Sequence, residues 1–334
     1  MFNKGIKNSS LALRPDSIYR TSPEDDKANP QDLFTKATRY LDTLRNLNDS
    51  AERENLFKKE LNEILVHCIY GSNRIEHAGL GQEATFYLCR RRLNQGSVPT
   101  FDGRATDKTG IEELLVVDQS LRQIPEKELL RQGREVVQHL QAFEYLNHHF
   151  VEGGEDLTED LTEDLIKETH AILCNGVSII DEELPEVPSE MYAGRYRNVA
   201  VGAGSTMFIM PKYVPQRMKE LCSSLREEIK YIETHSCVDP FSLAAKYSLQ
   251  FVDIHPFQDG NGRMCRIILN VVLRRYLGIV VAIGETDEDV RGYIGIKKRA
   301  SMEMEGHGEY ATFVLKRGTK TIQKLKQKMH GKKA

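Results

Sequence analysis

Residues 239 to 277 constrain the fold of this 334-residue chain more than any other stretch. Asp239-Pro240 is a helix start, with an acid to cap the first free N–H groups and proline at the first helical position. Leu243, Ala244, Tyr247 and Phe251 follow at helical spacing and face a core. Pro256 disfavours helical geometry at the residue before it, so the helix exits at His255. Asp259-Gly-Asn-Gly262 then makes a turn whose glycines allow close backbone approach. Met264, Ile267, Ile268, Val271 and Val272 begin a second apolar face at once.

The rest of the chain repeats the helical habit. Leu61, Ile64, Leu65, Cys68, Ile69 and Ser72 form one stripe, predicting a helix that runs through Glu76 and stops before Gly79. Gly96 to Gly110 reads as a loop. Ile111 to Leu121 and Arg131 to Phe150 return to helical spacing, and Thr162 caps another helix. One region differs: Val199-Ala-Val201 and Met207-Phe-Ile-Met210 flank a Gly/Ser turn, which predicts a hairpin. The fold class expected is mainly α with a small β-hairpin. Residues 1–30 mix Ser, Pro, Asp and Lys without apolar periodicity and read as a flexible arm. Lys320 to Ala334 holds six lysines and no acid, and reads as a basic, solvated tail over 318–334.

Composition narrows the function. A formal net charge of −3 gives no bulk field for nucleic acid. No run of eighteen apolar residues spans a membrane. The six cysteines include no Cys-x-x-Cys pair, which argues against a zinc ribbon and a dense disulfide framework. With no secretory signal visible at Met1-Phe-Asn-Lys-Gly, a cytoplasmic or nuclear location is expected rather than a secreted one.

The loop between the two apolar helices carries the chemistry. The amino end of the second helix is an anion site. Arg263, Arg266 and Asn270 share one polar face of that helix, and guanidinium presents paired donors to phosphate oxygens. Asp259 beside phosphates suits Mg2+, which takes one or two carboxylates plus phosphate oxygens. A histidine after an apolar run is commonly a satisfied core residue. Beside this loop, His255 becomes a candidate base for nucleotidyl or phosphoryl transfer.

His255-Pro-Phe-Gln-Asp-Gly-Asn-Gly-Arg-Met-Cys-Arg266 resembles the Fic family motif His-x-Phe-x-(Asp/Glu)-Gly-Asn-(Gly/Lys)-Arg-x-x-Arg at all eight specified positions. Gly194-Arg-Tyr-Arg197 and the hairpin resemble the family's flap. Leu161 to Cys174 and Arg291 to Leu315 resemble its flanking helices, so the likeness covers roughly residues 60–315. It implies a Fic-type helical bundle with a hairpin flap: a helical region over 31–130 and a catalytic core over 131–317. It also implies a nucleotidyltransferase that moves AMP from ATP to a Ser, Thr or Tyr hydroxyl of a target protein, and of itself, releasing pyrophosphate. By that resemblance His255 is the base and Asp259 holds Mg2+. Gly260, Asn261, Gly262, Arg263 and Arg266 cradle the phosphates. Tyr293 supports the adenine or is a plain core aromatic. Val199, Val201, Phe208 and Ile209 of the flap position the target segment by strand addition.

Ser72-Asn-Arg-Ile-Glu76 resembles the family's inhibitory pattern, (Ser/Thr)-x-x-x-Glu-(Gly/Asn), placed amino-terminal to the motif. The implication is that Glu76 pairs with Arg266 where the ATP γ-phosphate binds. His77 departs from the Gly or Asn usual there, residues that accept left-handed backbone more readily. Removal of AMP by the same residues, Doc-like phosphotransfer, and a nucleotide-binding regulatory module are the alternatives. A homodimer is compatible with the resemblance, though no residue specifies an interface.

Overall fold

The computed structural model describes residues 11–21, 29–47, 50–99, 101, 107–153, 160–180, 185–203, 206–302 and 306–330. Its helices in chain order are α1 (Pro30–Arg45), α2 (Ala51–Ile75), α3 (Gln82–Gln95), α4 (Asp107–Val117), α5 (Glu126–Asn147), α6 (Glu163–Cys174), α7 (Ser189–Tyr192), α8 (Val214–His235), α9 (Pro240–Ile254), α10 (Asn261–Leu277), α11 (Asp287–Met302) and α12 (Gly308–Met329). Strands β1 (Ala12–Leu13) and β4 (Cys237–Val238) pair in parallel, and β2 (Gly202–Ala203) and β3 (Thr206–Met207) pair antiparallel. The mainly helical fold expected from the apolar periodicity is the fold observed.

Helix starts are capped as the sequence predicts. The Asp239 carboxylate accepts from the backbone of Phe241 and Ser242, and Thr162 accepts from Leu165. Each such cap is worth about 1 kcal/mol. Helices α9 and α10 form the centre. Met264, Cys265, Ile268, Leu269, Val271, Val272 and Leu273 are fully enclosed, because α9, α5 and α2 all pack on α10. With α10 buried on several sides, its polar residues Arg263, Arg266 and Asn270 are buried too. A buried charge is tolerated only where partners or ligands meet it, so the first turns of α10 hold polar groups inside an otherwise apolar bundle.

Three expectations about the chain's organisation are corrected. Residues 11–21, read as part of a flexible arm, are tied down: Ala12 pairs with Cys237 and Leu13 with Val238, while the Asp16 N–H and the Tyr19 hydroxyl both donate to Asp239. The cap of α9 thus also anchors the amino-terminal segment. Residues 1–10 and 22–28 of that arm lie outside the described residues. The basic tail is mostly the second half of α12. Its lysines at 320, 324 and 328 face water while Ile322, Leu325 and Met329 are buried, chiefly where α12 packs on α1. A lysine-rich composition hid an amphipathic period. The expected boundary at 130/131 falls inside α5, whose buried Leu129, Gly133, Val136 and Leu140 run through it without a break.

Candidate active site

Helix α9 ends at His255, whose backbone is left-handed (φ 51, ψ 61). For a residue with a Cβ this costs about 1–2 kcal/mol, so surrounding contacts must hold it. The next loop supplies some of them. The Phe257 N–H donates to Asn261 Oδ1 at 2.9 Å, and Asn261 Nδ2 donates back to the Phe257 carbonyl at 2.8 Å. Asn261 therefore closes the loop on itself. Its amide was expected to cradle phosphates; instead it is buried and engaged at both ends with the Phe257 backbone.

The imidazole of His255 has one ring nitrogen engaged and the other left over. Its Nδ1–H donates to the Val252 carbonyl at 3.2 Å, which leaves Nε2 with the lone pair. Burial pushes its pKa down to about 4, so the ring is neutral near pH 7. Phe208 stacks on it with ring centres 3.7 Å apart.

Arg197 joins the hairpin segment to His255. It donates from Nε to the His255 carbonyl at 2.6 Å, from Nη1 to Val199 O at 3.0 Å and from Nη2 to Ile209 O at 2.6 Å. Its backbone N–H donates to Pro256 O at 2.9 Å. The hairpin predicted from Val199–Val201 and Met207–Met210 consequently pairs closer to its turn, Gly202 with Met207 and Ala203 with Thr206. The carbonyls of Val199 and Ile209 are taken by the guanidinium rather than by a ladder. Phe208 N–H reaches Val201 O at 3.2 Å, and Val199 stays exposed.

Beyond the loop, the first turns of α10 present the arginines. Arg263 is buried, with Nη2 3.2 Å from Asp259 Oδ2. Its Nε and Nη1 are buried and find no partner among the described residues. Orphaned guanidinium donors at a helix start fit an anionic ligand. Asp259 is half-exposed, and the described residues hold no cluster of three or more His, Cys, Asp or Glu. One carboxylate beside phosphate-seeking donors suits Mg2+ carried with a nucleotide better than a metal caged by protein alone.

Arg266 is already engaged. Nε donates to Ser72 Oγ at 2.7 Å, and Nη2 donates to Ser72 O at 2.9 Å and Glu76 Oε1 at 2.6 Å. Burial would pull its pKa down, but Glu76 beside it outweighs that and holds it above the usual range. Gly262 lies directly under the carboxylate: a Cβ there would overlap Glu76. Ser72, Glu76, Gly262 and Arg266, far apart in the chain, thus meet at one point. Tyr293 is buried against Tyr310 and Phe313, with its hydroxyl 3.5 Å from Arg266 Nη1. It backs the arginine as a core aromatic and offers no free face to an adenine.

Two residues of the site escaped the sequence reading as functional positions. Arg197 was visible only as part of Gly194–Arg197. His170, on the apolar face of α6, donates from Nε2 to the Asp259 carbonyl at 2.9 Å and accepts at Nδ1 from Gly194 N–H at 2.9 Å. Its ring stacks on Phe257 at 3.6 Å, and burial lowers its pKa to about 4. A histidine among Leu165, Ile166 and Leu173 carries no signal until the loop it supports is known.

Comparison with known proteins agrees with this geometry. Residues 160–273 match the Fic/DOC family. A protein adenylyltransferase fic-1 of Caenorhabditis elegans is 35% identical over 83 residues, covering 25% of this chain and 15% of the relative. A Fido domain-containing protein of Dictyostelium discoideum is 40% identical over 83 residues, covering 25% of this chain and 55% of the relative. The chain spans 15% and 21% of the Caenorhabditis fic-1 relatives' own length. Among solved structures, a Fic domain containing signaling protein from Bacteroides thetaiotaomicron superposes with a TM-score of 0.61 at 18% identity, covering 91% of this chain and 97% of that one. Fic-1 residues 134–508 of C. elegans gives 0.62 at 21% identity, covering 89% and 71%. At these identities the structural likeness speaks for the fold, while the sequence match falls on the loop and helices that build the site. The matched segment 160–273 holds His255, Asp259 and Arg263, so the likeness to the Fic/DOC family falls on the site itself.

Proposed function

We propose that the chain is a self-inhibited protein adenylyltransferase, transferring AMP from ATP to a hydroxyl side chain of a target protein or of itself and releasing pyrophosphate. The observation that carries this reading is the neutral His255, with Nδ1 engaged by Val252, beside a helix start where buried Arg263 Nε and Nη1 have no partner among the described residues. Relatives matched in sequence are named protein adenylyltransferases, which supports AMP as the group moved.

In this reading a target segment lies along the flap and presents its hydroxyl to His255 Nε2. The base takes the hydroxyl proton as the oxygen attacks the α-phosphorus, a contribution of typically 10^2 to 10^4 in rate. Arg263 and the N–H groups at the start of α10 stabilise charge as it grows on the phosphates. Asp259 would hold Mg2+, which would supply neutralisation of charge on the nucleotide's phosphates. Arg266 completes the γ-phosphate site only when Glu76 leaves it, which makes the pair a brake.

Incubation of the Glu76→Gly protein with ATP labelled at the α- or the γ-phosphate tests the reaction class. Covalent label from the α-position alone is expected. Label from the γ-position would replace the proposal with phosphotransfer, and no covalent label from either would leave a nucleotide-binding module.

A further inference from the structure

The Glu76 side chain is about one-third exposed, so packing alone does not fix where its carboxylate points. Its aim comes from the turn that follows α2, and that turn is gripped from α5. Gly79 N–H donates to Glu135 Oε2 at 2.7 Å, while Glu135 Oε1 lies 3.3 Å from Arg131 Nη2. Four residues along the same face of α5, His139 Nδ1 donates to Asn73 Oδ1 at 2.7 Å. The Asn73 carbonyl in turn accepts from the N–H groups of Glu76 and Ala78, both at 3.0 Å. His77, between them, is left-handed (φ 51), and a Cβ at Gly79 (φ 73) would press into Asn73 and Val136. A left-handed, tightly seated turn persists only when its neighbours over-determine it. The Glu135 side chain is 3% exposed, and it spends one carboxylate oxygen on that turn. A buried carboxylate is costly to keep for packing alone.

We propose that Glu135 is a positioning residue of the brake. By fixing Gly79 it sets the place at which Glu76 meets Arg266, and loss of that contact frees the arginine for nucleotide. This rests on the adenylyltransferase reading above.

Self-labelling from α-labelled ATP is to be compared in the unmodified chain, Glu135→Ala, Glu135→Asp, Glu135→Gln, Glu76→Gly and the Glu76→Gly/Glu135→Ala double variant. Removing one acceptor from a buried N–H should raise labelling on the order of tenfold in Glu135→Ala. Glu135→Asp, which withdraws the carboxylate from Gly79 without emptying the site, should act in the same direction and serves if the alanine variant does not fold. Glu135→Gln keeps an acceptor oxygen and should stay near the unmodified level. In the Glu76→Gly background the second change should add nothing, because the group it positions is gone. A rise in Glu76→Gly with none in Glu135→Ala or Glu135→Asp overturns the role of Glu135 alone. An equal effect of Glu135→Ala in both backgrounds overturns it too, since a merely structural residue behaves so. No rise in Glu76→Gly removes the brake itself and the role of Glu135 with it.

Discussion

Arg266 Nη2 lies 2.6 Å from Glu76 Oε1 across 190 residues of sequence, and the same guanidinium also holds the hydroxyl and carbonyl of Ser72. One arginine therefore ties the end of α2 to the helix that begins after the loop at 256–260. A group that neutralises Arg266 from inside the protein competes with any anion that would do so from outside.

Nucleotide affinity should follow from that competition. In Glu76→Gly, ATP is expected to bind more tightly by roughly 5- to 150-fold, the range typical of a coupling between two exclusive contacts. Titration calorimetry with a non-hydrolysable ATP analogue measures it. Equal affinity in both proteins would mean that Glu76 and the nucleotide do not contest the same donor.

Stability should fall with acid earlier than carboxylate chemistry alone requires. His170 and His255 are held near pKa 4 by burial, and His139 is also held well below its ordinary 6.5, by burial and the nearby Arg263 and Arg266. The unfolded chain protonates these rings near 6.5, so it binds more protons than the folded one below that pH. The folded state is fully favoured above about pH 6.5 and loses stability as pH drops toward 4, by up to about 1.4 kcal/mol per pH unit for each ring. The thermal midpoint should decline steadily from pH 7 to pH 5. A flat profile would contradict the buried, neutral state of these histidines.

Arg197 should matter to target handling more than to nucleotide binding. Arg197→Ala strands the carbonyls of His255, Val199 and Ile209, each costing about 1–3 kcal/mol where it stays buried. The expected result is faster proteolytic cleavage within 199–210 and at least a tenfold loss of AMP transfer, with ATP affinity nearly unchanged. An uncleaved flap with full transfer would show that the bracket is dispensable.

Asn261 provides a sharper contrast. Both ends of its amide close the loop on Phe257, so Asn261→Ala should lower stability by about 1–3 kcal/mol in urea titration. Stability within a few tenths of a kcal/mol of the unmodified chain would return Asn261 to the role of a ligand contact.

Much of this was written locally. The helix exit at His255, the restart at the glycine turn and the cap at Asp239 follow from residues within a turn or two of each other, and the structure begins the second helix inside that turn, at Asn261. The pairing of Glu76 with Arg266 was legible only through the resemblance, since no local rule joins positions so distant, and the Ser72 contacts with the same guanidinium were not legible at all. Roles set by tertiary partners were not legible. Asn261 looks like a free amide until Phe257 is seen to use it. Tyr293 looks like a candidate adenine platform until Tyr310 and Phe313 enclose it. The lysines of α12 concealed Ile322, Leu325 and Met329 because net composition says nothing about which face is buried.

The most direct test compares Glu76→Gly with the Glu76→Gly/His255→Ala double variant, measuring covalent AMP on the protein by mass spectrometry after incubation with ATP and Mg2+. AMP on the first protein, with a loss of at least about 10^2-fold in the second while it still binds ATP, is expected for a base at His255. Undiminished AMP transfer in the double variant would contradict that assignment.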